Sequence, residues 1–164
     1  MEGLEDRTTH ETLMKLLEDN NLVFDKLEHE PTRTSEESAR VRGVPLSSGA
    51  KAMVAKDTAK GSFILFVFPA SRKISWKLVK ALLNVKKIEL ASEEEVYTLT
   101  KCRPGAVPPF GSVFKIPTYC DKELVNQGVT INFNAGLRGF SVLNLPVKDY
   151  LKLESPQLAE FTTE

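Results

Sequence analysis

Apolar positions along the chain change period several times, and each change marks an element. In residues 8–20, Leu13, Leu16 and Leu17 fall on one stripe of a 3.6-residue period, and Thr8 with Glu11 has capping-box spacing, so a helix ended by Asn20-Asn21 is predicted. Residues 22–27 predict a strand, followed by a loop at 29–33. Thr34 with Glu37 repeats the capping spacing and opens a short helix that Gly43 and Pro45 stop. Two continuous apolar runs follow, 50–55 and 62–68, split by a turn at 57–61. Both are rich in Val, Ile, Phe and Met and bounded by Gly or Pro, the pattern of strands buried on both faces.

The period returns to helical at 75–84, with Trp76, Val79, Leu82 and Leu83 inward, and again from Ser92, where Glu95 completes a third capping spacing, to about Lys101. Three prolines and two glycines force residues 103–111 to be loop. Strands are predicted at 112–116, 118–120, 129–133 and 139–143, and a last helix after Pro146, which suits a first turn. Strands outnumber the helices available as crossovers. The class expected is therefore α/β with a mixed, partly barrel-like sheet flanked by helices.

Composition narrows the function little. The 164 residues suffice for one core, and 41% hydrophobic with 27% charged residues is ordinary for a folded protein. The longest apolar run, 63–68, is far too short to cross a bilayer. The acidic start, Glu2, Glu5 and Asp6 with no apolar stretch behind it, is not that of a secretory signal. Cys102 and Cys120 are expected as free thiols in a reducing compartment. Net charge is +0, from 22 basic and 22 acidic residues, which lends no support to sequence-independent nucleic-acid binding. The bases nevertheless cluster, at Lys56/Lys60, Arg72/Lys73/Lys77/Lys80, Lys86/Lys87 and Lys101/Arg103. Either a one-sided basic surface or ordinary solvated edges would produce that pattern.

The chemistry on offer is sparse. His10 and His29 lie near one end and no Cys-x-x-Cys pair exists, so neither a metal cluster nor a cofactor is expected. No G-x-S-x-G elbow, phosphate-binding glycine loop or dinucleotide fingerprint is present. Lys51 is the odd residue, because its strand neighbours Ala50, Ala52, Met53, Val54 and Ala55 are all apolar. A lysine there either anchors an oxygen on which negative charge gathers or reaches solvent along its stem. Gly105-Ala106-Val107-Pro108-Pro109-Phe110-Gly111 is either a stiff cradle for a small polar group or a plain connection. Asn132 and Asn134, two apart on one strand face, can fix a substrate or cap a turn.

Taken in order, E-H-E-P-T-R-T-S-E-E-S-A, G-A-K-A-M-V-A-K, P-G-A-V-P-P-F-G, I-N-F-N-A-G and D-Y-L-K-L resemble the YbaK/prolyl-tRNA-synthetase-associated editing family, from residue 22 to 153. The resemblance implies a partly closed mixed-sheet domain over 22–154, preceded by an N-terminal helix (1–21) and followed by a C-terminal tail (155–164). It also implies hydrolysis of mischarged aminoacyl-tRNA, without a protein nucleophile, in the cytoplasm. Lys51 matches the family lysine, and Gly105 and Pro109 match its Gly-x-x-x-Pro loop. In that reading Lys51 holds the aminoacyl ester or its neighbouring phosphate, and backbone amides of the loop meet the aminoacyl end. Met53, Phe66, Val107 and Phe110 become pocket walls, with Ala106, Pro108, Gly111, Asn132 and Asn134 beside the substrate. His29 is read as structural to its loop. The implied partners are the aminoacyl end of tRNA and a synthetase, with no membrane. The expected substrate is a mischarged tRNA(Pro) or a tRNA bearing Ala, Ser, Thr or Cys. The contrasting expectation is a module of the same fold that binds tRNA or a synthetase without cleaving.

Overall fold

A computed structural model describes residues 5–164 of the chain; the first four residues of the expected N-terminal segment lie outside them. The helices are α1 (Thr8–Asp19), α2 (Ser35–Arg42), α3 (Trp76–Leu83), α4 (Glu93–Thr100), α5 (Lys122–Asn126) and α6 (Val147–Glu154). The strands are β1 (Asp25–Glu28), β2 (Ala50–Asp57), β3 (Ser62–Pro69), β4 (Lys73–Ile74), β5 (Ile88–Leu90), β6 (Thr118–Asp121), β7 (Thr130–Leu137), β8 (Phe140–Pro146), β9 (Gln157–Ala159) and β10 (Thr162–Thr163).

The two apolar runs form a hairpin, β2 and β3, in the middle of a five-stranded sheet ordered β5-β2-β3-β6-β9. The sheet is mixed: β5, β2 and β3 are antiparallel neighbours, whereas β6 and β9 add in parallel. A second sheet, β1-β8-β7, is antiparallel, and a parallel bridge between Gly49 and Asn132 ties it to the start of β2. Among the described residues the sheets do not close into a barrel.

Two cores follow from this layering. Between the sheets, Val54, Leu65 and Val67 meet Ile131, Phe133 and Val142, with Leu13 and Leu17 of α1 and Tyr150 of α6 closing the ends. On the other face of the large sheet, Phe66 and Phe68 pack with Val79 of α3 and with Phe161. The last ten residues, set apart by sequence as a tail, supply β9, β10 and the fully buried Phe161, whose ring meets Phe66 edge-on at 5.0 Å. α1 is equally bound in: His10 Nδ1 lies 2.7 Å from the Ala135 carbonyl, and a Cβ on Gly136 would come within 2.9 Å of the His10 amide nitrogen.

Several expectations need correction. Residues 112–116 are not a strand but a 3-10 turn, Gly111–Phe114, ended by Lys115 at φ 60°. Their Val, Phe and Ile suggest a strand, yet Gly111 packs so tightly on Thr118 and Ile116 that the chain must turn there. Thr8 does not cap α1 but is its first residue, after an N-cap Arg7 that makes no side-chain cap bond; its N–H donates to Asp6 Oδ1 at 2.8 Å. The Thr34 hydroxyl caps α2, but Glu37 reaches back to the N–H of Arg33, whereas Ser92 and Glu95 close a full reciprocal box. Leu82, expected inward, is 40% exposed.

Candidate active site

Where the two sheets part, beside the Gly49–Asn132 bridge, a cleft of about 600 Å³ opens. Its walls come from four places in the chain: α2 with its preceding turn, the first half of β2, the start of α4, and the loop before Val107, with Asn134 of β7 at the back.

Lys51 stands on the β2 wall. It is exposed, so the sheet here is open rather than buried on both faces as its apolar neighbours suggest. Its side chain has no ion-pair or hydrogen-bond partner among the described residues, whereas Lys56, five residues along the strand, is held 2.6 Å from Glu95. An unpaired ammonium on a concave wall is available to a ligand oxygen.

The loop divides in two. Arg103 to Ala106 is a β-turn closed by the Ala106 N–H on the Arg103 carbonyl at 3.0 Å, with Pro104 and Gly105 in its middle and Gly105 at φ +83°. Proline then glycine with positive φ is the signature of a type II turn. The Ala106 amide is therefore spent, while those of Gly105 and Val107 have no partner among the hydrogen bonds of the described residues. The rear half belongs to the core. Pro108 and Pro109 are buried, the Pro109 carbonyl accepts from the Tyr150 hydroxyl at 2.7 Å, and Phe110 is fully buried between Phe133 and Tyr150. Of the residues expected beside a substrate, Lys51, Met53, Gly105, Val107 and Asn134 line the cleft. Ala106, Pro108, Pro109, Phe110, Gly111 and Asn132 do not, nor does Phe66, which lies in the second core.

Asn132 is structural in its bonds: its amide donates to Ser48 and its carbonyl oxygen accepts from the Asn144 N–H, both at 2.9 Å. Asn134 fixes the loop, donating to the Gly105 carbonyl at 2.9 Å, and its oxygen accepts from Arg42 Nη2 at 2.9 Å.

Arg42 is the residue that sequence reasoning missed. At the last turn of α2 it looks like part of a solvated face, yet it is half-buried on the cleft wall and has no carboxylate partner among the described residues. Its Nε donates to Ser141 Oγ at 2.9 Å, and burial pushes the guanidinium down to about 10, which leaves it charged at neutral pH. Ser141 also lies 2.8 Å from His29 Nε2, while His29 Nδ1 donates to the Glu30 carbonyl at 2.8 Å. The serine–histidine pair has the spacing of a nucleophile and its base, but Ser141 is 0% exposed and its hydroxyl is taken by Arg42, His29 and Asn134. Cys102 does reach the cleft; burial raises its thiol to about 11, and the S–H donates to the Thr100 carbonyl, so it is not a thiolate.

A cleft lined by Lys51 and Arg42 as well as Glu36 and Glu93, with free backbone amides and no activated nucleophile among the described residues, suits a hydrolase that works by positioning and charge stabilisation. The aminoacyl-tRNA editing domain model matches residues 29–153, and the chain belongs to that family. It is similar to the multifunctional Ser/Thr-tRNA deacylase ProXp-y of Escherichia coli K12, 33% identical over 155 residues, 93% of this chain and 92% of that one. A 108-residue stretch, 63% of this chain, is 36% identical to 18% of the proline–tRNA ligase of Bacillus licheniformis. A crystal structure of a candidate trans-editing enzyme for prolyl-tRNA synthetase shares the fold, with TM-score 0.82 and 23% identity over 96% of this chain and 98% of that one. The chain is thus an aminoacyl-tRNA deacylase, an editing hydrolase of mischarged tRNA.

Proposed function

We propose that the cleft hydrolyses the ester of small hydroxylated amino acids, serine and threonine, on mischarged tRNA, with tRNA(Pro) among the substrates. The observation that carries this is the unpaired Lys51 on an open cleft wall that the Gly105 turn also lines. In this reading Lys51 meets the ester oxygen on which charge develops, and the Gly105 and Val107 amides add hydrogen bonds to the same end. Water attacks the ester carbonyl. Its proton passes, by way of the neighbouring ribose 2′-hydroxyl, to the 3′-oxygen that leaves, so no protein group need act as nucleophile.

The walls support a small side chain: Ala50, Ala52, Met53, Ala91 and Val107 are among the residues that line the cleft. A methylene changes binding in such a pocket by about 1–3 kcal/mol, so seryl and threonyl esters are both accepted. The name of the Escherichia coli relative and its near-complete coverage favour the same pair. Association with a synthetase and a cytoplasmic location complete the proposal, favoured by the similarity to a segment of a proline–tRNA ligase.

Amino-acid release from tRNAs charged with Ser, Thr, Ala, Cys and Pro tests it. The proposal expects multiple-turnover release from seryl- and threonyl-tRNA and little from prolyl-tRNA. Release confined to alanyl or cysteinyl esters would overturn the substrate assignment.

A further inference from the structure

The cleft accounts for the charged end of a tRNA but leaves the body of that tRNA without a surface. Residues 72–87 contain six basic residues, Arg72, Lys73, Lys77, Lys80, Lys86 and Lys87, and no acidic one, so the rest of this neutral chain is net acidic. Arg72 is engaged, donating to Thr162 Oγ1 at 2.7 Å and to the Thr162 carbonyl at 3.0 Å. The other five are exposed, and none of their ammonium groups has an ion-pair or hydrogen-bond partner among the described residues. Elsewhere three lysines are ion-paired, Lys15 with Asp19, Lys26 with Glu18 and Lys56 with Glu95.

The fold gathers these charges next to the cleft. α3 buries Val79 against the sheet face that carries Phe66, Phe68 and Met53, and by the two-residue period of β2 this is also the face of Lys51. The basic segment leaves the cleft wall after Ala70 and rejoins it at Leu90, so both of its ends are anchored there. Among nearby acids Glu89 of β5, Glu160 between β9 and β10 and Glu164, next to the Thr163 that pairs with Lys73, are exposed, each outside the basic run.

We propose that the outer face formed by β4, α3 and the turn into β5 receives the phosphodiester backbone of the tRNA whose charged end occupies the cleft. The inference rests on the deacylase reading of that cleft. An unpaired, one-sided set of lysines binds a polyanion by releasing its counterions, independently of sequence, and this reconciles tRNA binding with zero net charge.

The test compares the wild type with Lys77→Ala/Lys80→Ala, whose alanines keep α3 helical. Binding of uncharged tRNA is measured over a series of salt concentrations, and turnover is measured on a CCA trinucleotide bearing seryl ester. The variant is expected to bind tRNA about tenfold more weakly, with a log Kd against log salt slope shallower by about 2, while it hydrolyses the trinucleotide at the wild-type rate. Unchanged tRNA affinity and slope would overturn the proposal; a protein docked over the exposed Leu78 and Leu82 would give that result. Equal losses on tRNA and trinucleotide would also overturn it, as damage to the cleft. Hydrolysis of the trinucleotide by the wild type reports on the deacylase reading separately.

Discussion

Arg42 Nη2 donates to Asn134 Oδ1 across 2.9 Å, joining the α2 wall of the cleft to the β7 wall, and Asn134 passes the connection on to the Gly105 carbonyl. One guanidinium thereby sets the spacing between two walls and the turn that offers free amides. Arg42→Lys removes this fork, because an ammonium cannot keep the planar pair of bonds to Ser141 and Asn134. Leaving those buried acceptors under-satisfied costs about 1–3 kcal/mol, measurable by urea unfolding. The seryl-tRNA deacylation rate is expected to fall about tenfold or more as the Gly105 turn loosens. Wild-type stability and rate in this variant would show that the guanidinium does not organise the cleft.

Phe161→Ala tests whether the last ten residues are part of the fold. The ring is 0% exposed, meets Phe66 at 5.0 Å and Phe68 at 6.3 Å edge-on, and its N–H donates to Asp121 Oδ2. A loss of about 3–5 kcal/mol is expected by denaturant unfolding. A loss near zero would mean that the C-terminal strands are dispensable.

At Gly111 a Cβ would collide with the Thr118 hydroxyl and come within 2.7 Å of the Ile116 carbonyl. Gly111→Ala is therefore expected to cost about 1–3 kcal/mol through overpacking, with the melting temperature as readout. Gly61→Ala meets open space at a positive φ, +71°, which Gly111 does not share. It serves as a control in which backbone strain acts alone.

The Lys56–Glu95 pair predicts a pH dependence. The hydrogen bond from Lys56, then that from the Ser92 amide, holds the Glu95 carboxyl down to about 2 from its ordinary 4.5. A lowered native value means that the contribution is complete above about pH 4.5 and is lost as pH falls toward 2. The stability gap between wild type and Glu95→Gln should be constant at neutral pH and close over that acid window. A gap independent of pH would contradict the pairing.

The sequence exposes local features of this molecule and conceals the joints. Lys51 stands out because one charge interrupts an apolar run, and the Pro104-Gly105 turn because its residue types demand one backbone shape. The β2–β3 hairpin is legible for the same reason. By contrast, the contacts of Arg42 with Ser141 and Asn134, and of His29 with Ser141, join residues about a hundred positions apart. No local period marks them. Phe110 misleads as a pocket wall because sequence shows its place in a motif but not that Tyr150 draws the rear of the loop into the core. Residues 155–164 look like a tail because strands of two and three residues carry no readable alternation, although Phe161 anchors them.

The central claim is that Lys51 supplies charge stabilisation in the cleft and does not hold the fold together. The most direct measurement is single-turnover release of serine from seryl-tRNA by the wild type and by Lys51→Ala, with thermal unfolding of both. An exposed, unpaired lysine predicts equal melting temperatures, and loss of one oxyanion-stabilising group predicts a rate lower by about 10²–10³-fold. A Lys51→Ala chain that releases serine as fast as the wild type would contradict the account.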